Sequence, residues 1–173
     1  CKARYFKTGE INQHTNQIWF VLHGYGQLAQ YFIRKFQRLR EHNICVIAPE
    51  ALSRFYLEDV LSRSQSGNNR VGATWMTKEN RVMDIENYLH YLDAVALHEL
   101  KEFKELPVTV LGFSQGAATA SRWILNGNIL PKRLILWAGI FPHDMDVKSG
   151  KEILKTIKTT VVYGEVDPFL NDD

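Results

Sequence analysis

A charge of one sign is what this sequence has little of. Lys and Arg number 21 and Asp and Glu 19, which leaves +2 over 173 residues. Proteins that work by neutralising phosphate or anionic lipid carry a stronger bias, so no nucleic acid and no stable membrane insertion is expected. Cysteine is scarce as well, with only Cys1 and Cys45. Two thiols build no disulfide framework, and a reducing, cytoplasmic setting is the expectation. The longest apolar runs, residues 18–22 and 134–138, are strand-sized and too short to span a bilayer. There is no H-E-x-x-H and no paired Cys/His spacing, so neither a metal nor another cofactor is implied. No signal peptide is visible; the chain opens on Cys1 without an initiating Met, which leaves a removed N-terminal signal open. What is present is 45% apolar and 12% aromatic residues, enough to fill the core of one domain over residues 1–173.

Strand-sized apolar runs alternate with helical periodicities. Residues 17–23 (QIWFVLH) read as a strand that ends in the turn Gly24-Tyr25-Gly26. Over 27–41 the apolar positions Leu28, Phe32, Phe36 and Leu39 mark one face of a helix. Residues 43–48, 107–113, 133–139 and 159–164 are further strands, each nearly continuous in apolar character. Such runs suit a parallel sheet covered by helices on both faces, an α/β architecture. The longest helix is expected over 78–100, N-capped by Thr77, with Val82, Ile85, Leu89, Leu92 and Ala96 on its buried stripe. Residues 61–72 are polar and rich in Gly, Ser and Asn, and read as an exposed loop.

One motif carries chemistry. Gly112-Phe113-Ser114-Gln115-Gly116 matches G-x-S-x-G and falls directly between a strand and a helix. A serine held at such a tight turn sits in a strained backbone conformation, so the residues two before and two after it must lack bulk. The helix start then aims free N–H groups at the developing oxyanion. A serine also needs a base, an orienting acid and oxyanion donors. The turn His23-Gly24-Tyr25-Gly26 lies where a backbone N–H can be supplied, which makes Tyr25 and Gln115 the expected donor pair. His23 itself reads as a structural residue. The full G-x-G-x-x-G spacing is missing, so dinucleotide binding is the weaker reading of this turn.

The acid is expected on the loop after the last strand. Asp167, which is 53 residues after the serine and is followed by Pro168, fits the order serine, acid, histidine; Glu165 competes for the role. The base is the gap. None of the six histidines follows Asp167, and His143, on the loop after the strand at 133–139, is read as a pocket-wall residue.

With LHGYG at 22–26, APE at 48–50, LGFSQGAATA at 111–120, LILWAGIFP at 134–142 and VVYGEVDP at 161–168, the chain resembles the phospholipase/carboxylesterase family of α/β-hydrolases. That family includes acyl-protein thioesterases and small bacterial carboxylesterases. The resemblance implies an α/β-hydrolase fold, Ser114 as nucleophile, Asp167 as acid, and Tyr25 and Gln115 as the oxyanion hole. It also implies a terminal strand, a catalytic histidine and a closing helix after Asp173, so the sequence is expected to continue. The stretch 51–76 departs from the thioesterases; Phe55, Tyr56 and Trp75 are candidate walls of a small acyl or alcohol pocket beside His143. The expected activity is metal-independent hydrolysis of carboxylic esters, thioesters and lysophospholipids included, through a Ser114 acyl-enzyme, with a small-molecule ester as partner. The competing classes are a non-catalytic binding protein of the same fold, should no histidine follow Asp173, and a nucleotide-binding α/β domain. Oligomeric state is not encoded legibly.

Overall fold

Five parallel strands and one short antiparallel edge strand make the central sheet of the computed structural model, which describes residues 2–146, 148 and 150–164. In chain order the elements are β1 (Tyr5–Lys7), β2 (Gln17–Leu22), α1 (Ala29–Phe32) running into a 3-10 helix (Ile33–His42), and β3 (Ile44–Pro49). Then come β4 (Ser53–Tyr56), α2 (Val60–Ser66), β5 (Val71–Thr74), α3 (Arg81–Leu100), β6 (Val108–Phe113), α4 (Gln115–Asn126), β7 (Arg133–Trp137), α5 (Lys151–Lys155) and β8 (Lys158–Val162). The strand order is β1-β3-β2-β6-β7-β8, with β1 antiparallel to β3 and every other pair parallel.

Side chains alternate across this sheet and feed two cores. Ile18, Phe20 and Leu22 of β2 point into one cluster with Val110, Leu134, Trp123 of α4 and Leu92 of α3. Val21, Val46, Ala48 and Leu111 point the other way, onto Phe32, Ile33 and Phe36. Over β2, β3, β6 and β7 both faces are largely dry, which is why these strands read as nearly unbroken apolar runs, while β8 is exposed along its length.

The helix expected over 27–41 is α-helical only at its start. Ile33, Phe36 and Leu39 repeat every third residue and all pack on the second core. A 3-10 helix eclipses positions i and i+3, so the tighter winding lines these three up. It stops at Asn43, in left-handed conformation at φ 56°. α3 begins at Arg81 behind Asn80, not at Thr77, whose backbone N–H donates to Asp84 at 3.2 Å. Its buried stripe is Tyr88, Leu92, Val95, Ala96 and Glu99, and Val82 stays exposed.

The expected loop at 61–72 is corrected. It holds α2 and the start of β5, and β5 pairs with β4 as an antiparallel hairpin with Ser53 opposite Thr74. Asp59 caps α2 by accepting from the Ser62 backbone N–H at 3.0 Å and from its hydroxyl at 2.6 Å. This arm is sewn to the loop after β2 by a bridge between Gln27 and Ala73.

Candidate active site

The site follows from strand order. From β2 the chain moves outward to β3 on one side, then returns to place β6 on the other, so β2 lies at a switch in winding direction. Open α/β sheets leave a crevice beyond the carboxyl ends of the strands at such a point. Leu22 is in register with Gly112, and the chains leaving β2 and β6 therefore emerge side by side. They carry His23-Gly24-Tyr25 and Phe113-Ser114-Gln115. A Cβ placed on Gly24 would lie 3.2 Å from the Ser114 Cβ.

Ser114 is exposed and sits at φ 53°, ψ −119°, a conformation that L-residues rarely adopt. Its neighbours force this turn to be tight. A Cβ on Gly112 would come within 2.2 Å of the Gly116 carbonyl oxygen, and one on Gly116 within 2.3 Å of that of Leu22. Neither position can take a side chain while strand and helix keep this approach. The Ser114 N–H donates to the Trp137 carbonyl at 2.9 Å, and its carbonyl accepts from Ala117 at 2.8 Å. Gly139, leaving β7, packs against the Ser114 carbonyl.

Gln115 is the first residue of α4, where an N–H has no acceptor within the helix. Its side chain has a separate task. Its Oε1 accepts from the Trp75 N–H at 3.0 Å, and its Nε2 donates to the Met76 carbonyl at 2.9 Å and to the Thr74 hydroxyl at 3.0 Å. The hairpin arm is thus fastened to the residue after the serine.

The Tyr25 N–H donates to no partner among the described residues, and the ring stacks on Phe55 at 5.1 Å. The turn is braced from below by His23, which is fully buried. Its Nε2 accepts from the Ala51 N–H at 3.1 Å, so Nδ1 carries the proton and donates to the Gly24 carbonyl at 2.8 Å. Burial holds the imidazole below its ordinary pKa, and it stays neutral. The structural reading of His23 agrees with this arrangement.

The expected pocket walls separate. Phe55 meets Tyr25 beside the oxyanion turn. Tyr56, on the opposite face of β4, lies under the Arg63 guanidinium at 3.9 Å. Trp75 is only 2% exposed; its indole N–H donates to the His23 carbonyl at 2.8 Å, and the ring packs between His23 and Tyr88. It is a strut under the Gly24-Tyr25-Gly26 turn and not a wall, because a ring that size is worth more in the core than in a solvent-facing cleft. His143 is exposed on the turn after β7, and no hydrogen bond joins it to Ser114 among the described residues. Asp167 and Glu165 lie outside the described residues.

Sequence reasoning missed a charged cluster beside the site. Arg122 of α4, nearly buried, donates from Nη2 to Asp144 Oδ1 at 2.8 Å, and Arg81 at the start of α3 holds the other carboxylate oxygen. An arginine amid the small and apolar residues of ATASRWIL was the available signal.

The profile of the serine hydrolase family FSH1 matches residues 14–173, strained serine included. The chain belongs to that family. No curated protein matches the sequence. Among solved structures, this FSH1 serine hydrolase superposes on Zea mays acyl-protein thioesterase 2 with a TM-score of 0.64, 19% identity, and coverage of 92% of this chain and 75% of that one. A phospholipase/carboxylesterase from Dyadobacter fermentans DSM 18053 gives 0.59 and 15% identity over 99% of this chain and 92% of its own. Esterase PE8 gives 0.56 and 20% identity, covering 92% and 71%. At such identities the likeness is one of fold, the α/β-hydrolase fold. No helix among the described residues is long and apolar enough to cross a membrane.

Proposed function

We propose that this FSH1-family chain hydrolyses carboxylic esters of small molecules through an acyl-enzyme on Ser114. The observation that carries the reading is the exposed serine at φ 53° between β6 and α4, at the crevice where the carboxyl ends of β2 and β6 meet. In this reading Ser114 Oγ attacks the ester carbonyl carbon while its proton passes to a histidine base. The carbonyl oxygen becomes an oxyanion facing the Tyr25 and Gln115 N–H groups. The bond to the alkoxy oxygen breaks, the base returns the proton to the leaving alcohol, and the acyl group stays on Ser114. A water then repeats the attack and frees the carboxylic acid. Asp167 is the proposed orienting acid. His23 is not the proposed base, since both its ring nitrogens are committed to the turn.

The engagement of both His23 ring nitrogens also favours a second reading, a binding protein of the same fold without turnover. The two are separated by Ser114→Ala in the full natural chain. We expect the variant to fold and to lose hydrolysis of 4-nitrophenyl acetate by about 10⁴-fold or more, together with labelling by a fluorophosphonate. Turnover unchanged in a folded Ser114→Ala protein would exclude the acyl-enzyme. Absence of turnover and labelling in the wild type would favour the binding protein.

A further inference from the structure

A cleft of about 670 Å³ opens where the hairpin arm meets the start of α1, and it begins at Gly26, the residue after the oxyanion donor Tyr25. Its volume lies within the range of about 300–1,000 Å³ typical of small-molecule sites. Tyr31, Phe32, Leu57 and Val71 give it an apolar lining, and Lys35 and Arg70 are its charged residues. No carboxylate lines it. Arg70 is already tied to Glu58 at 2.6 Å, outside the lining, so its guanidinium is fixed in place and its charge balanced. Lys35, an exposed lining residue, is different: among the described residues it makes no ion pair and no hydrogen bond. The Arg34 guanidinium stands over the ring of Tyr31, a lining residue, at 5.0 Å. An apolar lining with cations and no acid matches an apolar chain that ends in an anion.

We propose that this cleft receives the acyl arm of the substrate, and that the preferred substrates are esters whose acyl chain ends in an anionic group such as a carboxylate. The inference rests on the esterase reading, because the cleft gains its meaning from the turn that holds the oxyanion. The geometry supports the reach. Gly24 lies against Ser114, and Gly26, at the head of the cleft, is two residues further on, within about 7 Å. A carbonyl held between the serine and the Tyr25 N–H would direct its chain past Gly26, towards Lys35. Exposed lysines gain little from a single pairing, so the effect is one of selectivity and not of gross affinity.

The test compares two substrates of one chain length, the 4-nitrophenyl ester of hexanoic acid and the mono-4-nitrophenyl ester of adipic acid, on the full natural chain. The adipyl ester should show the higher kcat/KM by about two- to fivefold in low salt, and less in 0.5 M NaCl. Lys35→Glu should bring the ratio to one or below. Lys104→Glu, the same charge change at the amino end of the sheet, should leave the ratio alone. Equal values for the two esters in the wild type, or equal losses in both lysine variants, would overturn the proposal. Binding separates this outcome from failure of the esterase reading. Calorimetry on Ser114→Ala should detect monomethyl adipate and should find it bound several-fold more weakly in the Ser114→Ala/Lys35→Glu pair. Binding that is absent or indifferent to Lys35 sinks the cleft whether or not the enzyme turns over.

Discussion

Ser114 sits at φ 53°, and the two glycines around it show what that conformation demands of its neighbours. Gly116 is the more revealing, because its missing Cβ makes room for the carbonyl oxygens of both Leu22 and His23. Backbone atoms cannot swing aside as a flexible side chain can. Gly116→Ala should therefore force α4 away from β2 and cost about 3 kcal/mol, a fall in Tm of roughly 6–12 °C for a chain this size. It should lower activity with it, since Gln115 would move too. A Gly116→Ala protein with wild-type Tm would mean that the strand and helix are less closely packed than described. His23 makes a second residue-scale prediction. Its folded pKa is lowered by burial, so between its ordinary value of 6.5 and that lowered value the unfolded chain holds a proton that the folded chain does not. Stability from this group is present above pH 6.5 and declines as the pH falls below it, by at most about 1.4 kcal/mol per pH unit. Thermal melts from pH 8 to pH 5 should show this decline, and His23→Gln should flatten it. Equal slopes in both proteins would show that the imidazole is not buried neutral.

Among the elements, the hairpin arm is the one least visible in the sequence and the one most tightly tied to the serine. Four of the five parallel strands, β2, β3, β6 and β7, were legible because helices cover both their faces and nearly every residue had to be apolar, whereas β8 is exposed along its length. The serine motif and the turn after β2 were legible because glycine was required where strand and helix meet. The arm gave no such signal. α2 buries none of its residues, with Val60 and Leu61 70% and 72% exposed, so its sequence carries no 3.6-residue periodicity. β4 and β5 have four residues each and β1 only three, too few for alternation to stand out. Trp75 misled for a related reason: sequence marks a large ring but not which way it turns. What holds the arm down is the side chain of Gln115, bonded to Thr74, Trp75 and Met76. Gln115→Ala keeps the backbone N–H and removes these bonds, at a cost of about 1–3 kcal/mol felt mainly by the arm. Hydrogen exchange at residues 71–74 should accelerate by about tenfold or more while β6 keeps its protection. Uniform acceleration across the sheet would show that Gln115 supports the whole fold and not the arm.

For the molecule as a whole, the question is how three segments that surround the serine, each arriving from a different part of the chain, are kept in one arrangement. α4 carries the elbow, α3 begins beside the arm, and the turn after β7 packs Gly139 on the Ser114 carbonyl. Arg122, Arg81 and Asp144 join all three. Arg122 also reaches the Met76 sulfur at 3.8 Å, and Met76 in turn receives the Gln115 amide. Arg122 is 6% exposed in its side chain and Asp144 45%, so the charges are unequal in what their loss should do. Removing the carboxylate leaves a guanidinium with little access to water and no counter-charge. Asp144→Ala should then cost about 2 kcal/mol, less than for a fully buried pair because water already reaches Asp144. Arg122→Met alone leaves a carboxylate that water can solvate and that Arg81 still holds, and should cost less. The double variant Arg122→Met/Asp144→Ala should recover most of the Asp144→Ala loss, so that denaturant titrations give a coupling of about 1 kcal/mol or more. Although burial works against its charge, the Arg122 hydrogen bond and the nearby guanidiniums hold the Asp144 carboxyl below its ordinary pKa of 3.8. The coupling should therefore persist at neutral pH and shrink only as the pH falls below 3.8. Strict additivity of the two substitutions at pH 7 would show that the three segments are positioned by their apolar packing alone.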